Sequence, residues 1–221
     1  MRTKVKICCI ANTNEAEIAI AHGADALGLV GPMPSGPGTI SLDTAREIAN
    51  QTPPPISTFL LTAETKANQI AEQVQYVGTD TVQIVNHVEV EELKKLKTLL
   101  PNIRRVQVIH VESSSALNLI KEYEPFADAF LLDSGRPLAA TPELGGTGRT
   151  HDWSISKKIV IDSSRPVFLA GGLNAENVAD AVQQVQPYGV DLCSGVRKGY
   201  DLHEASLRSF MKSLAASIDT H

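Results

Sequence analysis

Aromatic residues and positive charge are both scarce in this chain of 221 residues. Phe, Trp and Tyr make up only 5% of it, and 25 acidic residues outnumber 20 basic ones, which gives a formal net charge of -5. Proteins that bind nucleic acid usually present basic patches and aromatic rings, and surfaces that bind anionic lipid also need basic residues. The composition therefore predicts neither a nucleic-acid partner nor a membrane partner.

Long apolar runs and a cysteine framework are lacking too. No run approaches the roughly 20 apolar residues that a membrane-spanning helix needs, and the first residues lack the pattern of a secretory signal. The cysteines are Cys8, Cys9 and Cys193. Two of them are adjacent and their number is odd, so no disulfide framework is predicted. We expect free thiols in a cytoplasmic protein.

The chain instead repeats one pattern eight times: a short run rich in Val, Ile and Leu, followed by an amphipathic stretch. The predicted strands are residues 5–10, 26–30, 56–61, 81–85, 104–111, 129–133, 167–170 and 189–193. The predicted helices are residues 13–22, 41–50, 64–76, 89–100, 114–123, 153–159, 174–185 and 203–215. Such apolar strands are typical of parallel strands covered by helices.

Eight consecutive strand–helix units predict an α/β fold, a (β/α)8 TIM barrel that forms a single domain over residues 1–221. An open, doubly wound sheet is the competing arrangement. It is disfavoured because no G-x-G-x-x-G motif follows the first strand.

Two side chains near strand ends are candidates for acid–base chemistry, because TIM barrels carry their reactive groups at the carboxyl ends of the strands. Cys8 shares a strand face with Lys6, whose ammonium would favour a thiolate if Cys8 faces the barrel mouth. Asp133 follows four apolar residues, and partial burial would raise its pKa towards that of a useful general acid. The alternatives are a buried, unreactive Cys8, like its neighbour Cys9, and an Asp133 that anchors a loop.

Two glycine turns follow the seventh and eighth predicted strands. Gly171 and Gly172 lie in the first turn, and Ser194 and Gly195 lie in the second. Glycine allows backbone N–H groups to approach an anion, and the loops after these two strands are the recurrent phosphate site of the fold. We therefore predict a small phosphorylated metabolite as the ligand, with two simple tight turns as the alternative.

A long loop over residues 135–149 contains Gly145, Gly146 and Gly148 and is predicted to be a mobile lid, or else a disordered loop. His110, at the end of the fifth strand, is a further candidate for the pocket. The histidines show no metal-ligand spacing, and no nucleotide-binding motif occurs, so neither a metal nor a cofactor is predicted. Nothing in the sequence indicates an oligomeric state.

Six segments in or next to the predicted strands and loops share motifs with a known family. They are Lys-Ile-Cys at 6–8, Ala-Leu-Gly-Leu-Val at 26–30, Leu-Leu-Asp-Ser at 131–134, Gly-Gly-Thr-Gly-Arg-Thr-His-Asp-Trp at 145–153, Leu-Ala-Gly-Gly-Leu-Asn-Ala-Glu-Asn-Val at 169–178, and Gly-Val-Asp-Leu-Cys-Ser-Gly-Val at 189–196. By these segments the chain resembles the phosphoribosylanthranilate isomerase family of tryptophan biosynthesis. The resemblance implies a cofactor-free Amadori rearrangement, an aldose–ketose isomerisation of N-(5'-phosphoribosyl)anthranilate or a related phosphosugar amine. It further implies that Asp133 is the general acid and Cys8 the general base.

Other positions depart from the family pattern. Gly38 stands where the family has an Arg that pairs with the anthranilate carboxylate, and residues 83–86 read Gln-Ile-Val-Asn instead of Gln-Leu-His-Gly. Arg197 and Arg136 are candidates to supply a guanidinium from another loop. Further replacements surround the barrel mouth: Cys9 for Gly, Ala11 for Thr and Arg197 for Glu. These departures leave two other functions open, a non-catalytic or regulatory barrel that binds a phosphometabolite and another sugar-phosphate isomerase or epimerase.

Overall fold

A computed structural model describes residues 2–34, 36–135 and 150–216. Strands and helices alternate along these residues. The strands of the main sheet are β1 (Lys4–Ile7), β2 (Ala26–Val30), β3 (Ser57–Thr62), β4 (Thr81–Ile84), β5 (Arg104–His110), β6 (Ala129–Asp133), β7 (Val167–Leu169) and β8 (Gly189–Leu192). The helices are α1 (Thr13–Ala21), α2 (Leu42–Gln51), α3 (Ala67–Val77), α4 (Val90–Leu99), α5 (Ala116–Tyr123), α6 (Trp153–Asp162), α7 (Val178–Val185) and α8 (Glu204–Ala216).

The strands β1 to β8 close into a barrel in chain order, each parallel to its neighbours. Closure pairs β1 with β8, and this register sets Lys6 beside Asp191. On the far side of the barrel, His110 of β5 pairs with Asp133 of β6. The predicted (β/α)8 TIM barrel is therefore confirmed.

Side-chain alternation along the strands divides the core into two layers. In β1, Val5 and Ile7 pack outward in the large cluster that the helices cover, whereas Lys6, and Cys8 just after the strand, point inward. Because side chains alternate faces in a strand, this layering follows directly from the sequence. The inner layer is the smaller of the two. The candidate residues lie above it, at the carboxyl end of the barrel.

Most predicted bounds shift by a few residues, and two differences from the predicted elements affect the site. β1 ends at Ile7 instead of residue 10, because Cys9 has φ +64°, a left-handed conformation that interrupts the strand. A small antiparallel pair, β9 (Arg197–Lys198) and β10 (Asp201–Leu202), follows the 3-10 turn Ser194–Val196 and was not predicted. Among the described residues, no helix is long and apolar enough to cross a membrane.

Candidate active site

A cavity at the carboxyl end of the barrel brings the two acid–base candidates together. Cys8, just after β1, and Asp133, at the end of β6, both line it. Gly171, Gly172 and Ser194 line the same cavity. The predicted catalytic residues and three of the four predicted phosphate-binding residues therefore share one site.

The Cys8 thiol lies beside a buried ion pair. Lys6 is fully buried, and its Nζ donates a hydrogen bond of 2.8 Å to Oδ1 of Asp191. A Cβ placed on Gly28 would lie 2.9 Å from both the Lys6 Nζ and the Cys8 Sγ, so these two atoms flank the same glycine. Burial lowers the pKa of Lys6, but the Asp191 carboxylate and the Cys8 thiol outweigh burial and raise it above 10.5. Lys6 is therefore a fixed positive charge near the thiol.

Asp133 is held in an environment that favours its protonated form. It is 8% exposed, and its pKa is raised from 3.8 to about 6, chiefly by burial. The nearby Asp191 carboxylate also raises this pKa, whereas the Ser134 backbone N–H, 2.7 Å from Oδ1, and the Lys6 ammonium lower it. A carboxyl group of this pKa can donate a proton near neutral pH.

The two glycine turns occupy different positions around the cavity. Gly171 and Gly172 have φ +85° and +64°, and among the described residues no acceptor takes a hydrogen bond from their backbone N–H groups. Ser194 begins the 3-10 turn and lines the cavity. Gly195 packs against the Leu173 backbone carbonyl, where a Cβ would not fit. This contact holds the turn after β8 against the turn after β7.

The remaining cavity wall is mainly apolar. Its apolar side chains include Val30, Met33, Leu61, Val85 and Val108. Gln83 also lines it, is 4% exposed, and has no hydrogen-bond partner for its Oε1 among the described residues. An apolar ligand group can pack against such a wall.

A side chain at position 38 does not fit unless Cys9 moves. Its φ is +73°, and a Cβ there would lie 2.5 Å from the Cβ of Cys9. The departures at positions 9 and 38 are therefore coupled, because the Cys9 side chain takes the space that a side chain at position 38 would need.

Arg197 is not free to replace the missing guanidinium, contrary to one of our expectations. Its side chain is 6% exposed and pairs with Glu15, 2.9 Å away. Arg136 and the predicted lid residues Gly145, Gly146 and Gly148 lie outside the described residues.

His110 is buried, with its Nε2 3.0 Å from the Val85 carbonyl oxygen, and it is not among the described residues that line the cavity. Burial lowers its pKa, so the ring is neutral near pH 7.

Two further thiols, Cys9 and Cys193, line the cavity. The neighbouring Cys193 and Cys8 thiols, together with burial, raise the pKa of Cys9 well above its ordinary value. The neighbouring Cys9 thiol lowers the pKa of Cys193, against the opposing effect of burial. Among the described residues, no cluster of His, Cys, Asp and Glu has the arrangement of a metal site.

Sequence reasoning missed Asp191 as a residue of this site. It lines the cavity, holds Lys6 and acts on the pKa of Asp133. A signal was present, because a lone carboxylate in the apolar strand Gly189–Leu192 needs a partner when it is buried.

A carboxyl group and a thiol that open into one cavity at the catalytic end of a TIM barrel are typical of barrel enzymes that transfer protons. A family model described as N-(5'phosphoribosyl)anthranilate (PRA) isomerase matches residues 5–212. The chain therefore belongs to the N-(5'-phosphoribosyl)anthranilate isomerase family, and it is an enzyme of the isomerase class, as the sequence predicted.

Individual relatives agree with the family model. N-(5'-phosphoribosyl)anthranilate isomerase 2 of Methanosarcina mazei is 39% identical over 195 residues, 88% of this chain and 85% of that protein. The crystal structure of phosphoribosyl anthranilate isomerase from Thermotoga maritima superposes with a TM-score of 0.83 at 30% identity, over 97% of this chain and 99% of that one. A phosphoribosyl anthranilate isomerase in complex with reduced 1-(o-carboxyphenylamino)-1-deoxyribulose 5-phosphate has a TM-score of 0.81 at 27% identity, over 97% and 99% of the two chains.

Proposed function

We propose that this protein converts N-(5'-phosphoribosyl)anthranilate into its amino-ketose isomer, with Asp133 as the general acid and Cys8 as the general base. The observation that carries the proposal is the shared cavity, in which burial favours a protonated Asp133 while Lys6 places a positive charge beside Cys8. Two groups with opposite proton-transfer roles are what an aldose–ketose rearrangement needs.

The reaction begins at the ribose ring. Asp133 donates its proton to the ring oxygen, the bond between that oxygen and C1 breaks, and the amine nitrogen lone pair forms a Schiff base with C1. The Cys8 thiolate then removes the proton from C2, and the electrons of that bond neutralise the iminium nitrogen. The resulting enolamine tautomerises to the ketone. The Lys6 ammonium supplies a counter-charge to the thiolate. Before the next turnover Cys8 releases the proton that it took from C2 to solvent and the Asp133 carboxylate takes one up, so that both groups return to their starting forms.

The substrate phosphate is proposed to bind at the two glycine turns. The backbone N–H groups of Gly171 and Gly172, which lack an acceptor among the described residues, support this placement, as does the position of Ser194 in the cavity. Gly195 contributes by the contact that holds the two turns together. With the phosphate anchored here, the anthranilate ring lies against the apolar wall.

The proposed setting is the cytoplasm, with the chain acting as one domain over residues 1–221 on a small phosphorylated metabolite. The three cysteines are unpaired, which agrees with a reducing compartment.

Turnover of N-(5'-phosphoribosyl)anthranilate by the purified protein tests the proposal. We expect conversion by the wild type and a loss of at least about 100-fold in kcat for Cys8→Ala and for Asp133→Asn. Cys193→Ser is the matched control, because it removes another thiol that lines the same cavity and is expected to keep kcat within about threefold. A wild type that does not turn over this substrate would refute the proposed substrate. A Cys8→Ala variant as active as the control would refute the assigned base.

A further inference from the structure

We infer that Arg197 is a positioning residue that holds the catalytic Cys8 in place through its backbone. The inference rests on the proposed role of Cys8. Arg197 lies outside the residues that line the cavity, so it does not act on the substrate directly.

The guanidinium of Arg197 binds two consecutive peptide carbonyls, those of Cys8 and Cys9. Its Nη2 donates to the carbonyl oxygen of Cys9 and, at 3.4 Å, to that of Cys8. Its Nη1 donates to the Tyr200 carbonyl oxygen at 2.6 Å. Arg197 therefore links the β9–β10 hairpin, at the end of the barrel, to the chain just after β1.

Glu15 holds the guanidinium in this orientation. Its two carboxylate oxygens accept hydrogen bonds from Arg197 at 3.1 and 2.9 Å, which makes the pair bidentate. The Glu15 side chain is 7% exposed. The same carboxylate accepts from the backbone N–H groups of Ala11 at 3.0 Å and Leu202 at 2.8 Å. Burial raises the pKa of Glu15, but the hydrogen bonds from Arg197, Leu202 and Ala11 outweigh it and hold the pKa below 4.5.

The backbone segment that Arg197 binds contains a conformation that is costly in free energy. Cys9 has φ +64°, a left-handed conformation that is costly for any residue with a side chain. On either side, the Cys8 N–H bonds the Leu192 carbonyl oxygen at 2.9 Å and the Ile10 N–H bonds that of Gly28 at 3.0 Å. Between these two fixed points lies the peptide group that joins Cys8 to Cys9, and it makes no main-chain hydrogen bond among the described residues. Arg197 binds the carbonyls of Cys8 and Cys9, so it fixes the direction of the Cys8 side chain.

This arrangement unites three departures from the family pattern. Cys9 and Ala11 stand where the family has Gly and Thr, and Arg197 stands where it has Glu. In this chain the carbonyl of Cys9 and the Glu15 carboxylate bind the guanidinium of Arg197, and the N–H of Ala11 binds that carboxylate. Of the three replacements, only Arg197 contributes its side chain to the network, because positions 9 and 11 take part through their backbone carbonyl and N–H.

The test compares Arg197→Met with the double variant Glu15→Gln/Arg197→Met. The single variant leaves a buried carboxylate unpaired, so its Tm falls as well as its kcat. The double variant removes both charges, and we expect its Tm to return most of the way to the wild-type value. Its kcat stays about 10- to 100-fold below wild type with KM within about twofold, because the Cys8 and Cys9 carbonyls still lack their donor.

Arg105→Met is the matched control. Like Arg197, Arg105 is a buried arginine paired with a carboxylate, here that of Asp128 at 2.6 Å. It lies at the amino end of β5, away from the cavity. We expect its Tm to fall and its kcat to stay within about twofold of wild type. A merely structural role for Arg197 predicts that kcat follows Tm, so the double variant would recover both.

Alkylation of Cys8 by iodoacetamide, located by mass spectrometry, gives a readout that does not depend on turnover. Cys8 is 6% exposed in the structure, and loss of Arg197 is expected to raise its alkylation rate several-fold in the double variant but not in Arg105→Met. Recovery of wild-type kcat together with an unchanged alkylation rate in the double variant would overturn the inference. If the wild type lacks turnover, the proposed function fails, while the alkylation rates still decide whether Arg197 positions Cys8.

Discussion

Replacing Asp133 by Asn should stabilise the protein while it inactivates the enzyme. Burial raises the pKa of this carboxyl from 3.8 to about 6, so at pH 8 the folded protein holds a charge in an environment that disfavours it. This difference in pKa corresponds to about 3 kcal/mol of lost stability. Asn has nearly the same shape, carries no charge and can still accept the hydrogen bond from the Ser134 N–H.

The pH dependence of this stability gain follows from the direction in which the pKa of Asp133 is shifted. Because the folded-state pKa is above the unfolded one, the folded protein binds more protons between pH 4 and 6, and wild-type stability falls as pH rises through that window. Well below pH 3.8 both states are protonated and the penalty vanishes. The advantage of Asp133→Asn should therefore grow from about 0.5 kcal/mol at pH 4 to about 3 kcal/mol at pH 8, or roughly 6–12 °C in Tm.

Denaturant unfolding at pH 4, 6 and 8, with turnover measured on the same samples, checks this prediction. Asp162→Asn is the control, because Asp162 is 42% exposed at the end of α6 and its loss should change stability by at most about 0.5 kcal/mol. A stability difference that does not vary with pH would refute the conclusion that burial raises the pKa of Asp133. Full activity in Asp133→Asn would refute its role as the acid.

Three glycines give further predictions. Gly28→Ala places a methyl group 2.9 Å from the Lys6 Nζ and the Cys8 Sγ, so kcat should fall at least about 10-fold in steady-state assays while circular dichroism shows a folded barrel. Gly171→Ala, at φ +85° and 2.9 Å from the Ser134 Oγ, should raise KM more than it lowers kcat and should weaken inhibition by inorganic phosphate; an unchanged KM would contradict the phosphate site. Gly38→Arg should destabilise by about 1–3 kcal/mol in denaturant unfolding, and Cys9→Gly/Gly38→Arg should recover at least about 1 kcal/mol of this; additive effects would show that the two positions are not coupled.

The barrel and the position of the site could be predicted because both follow from local patterns. Apolar runs of strand length alternating with amphipathic stretches define the units, and reactive groups of this fold lie at the strand ends. The alternation of faces also predicted that Lys6 and Cys8 lie on one side of β1, and the structure confirms it.

The features that could not be predicted depend on contacts between distant parts of the chain. Lys6 and Asp191 meet only because β1 pairs with β8 when the barrel closes. Arg197 reads in the sequence as a free cation after the last strand, and its pairing with Glu15 depends on how the β9–β10 hairpin folds back on α1. The left-handed conformation of Cys9 has no signature in the sequence, because residues with side chains rarely adopt it.

The central claim is that a thiol and a carboxyl group act on one sugar whose phosphate is held by the glycine turns. A crystal structure with reduced 1-(o-carboxyphenylamino)-1-deoxyribulose 5-phosphate bound tests it most directly. We predict the phosphate at the N–H groups of Gly171 and Gly172, and the C2 carbon of the sugar within about 3.5–4 Å of the Cys8 Sγ, with an oxygen of the sugar within hydrogen-bond reach of Asp133. A ligand bound with its phosphate elsewhere, or with its sugar out of reach of either side chain, would contradict the account.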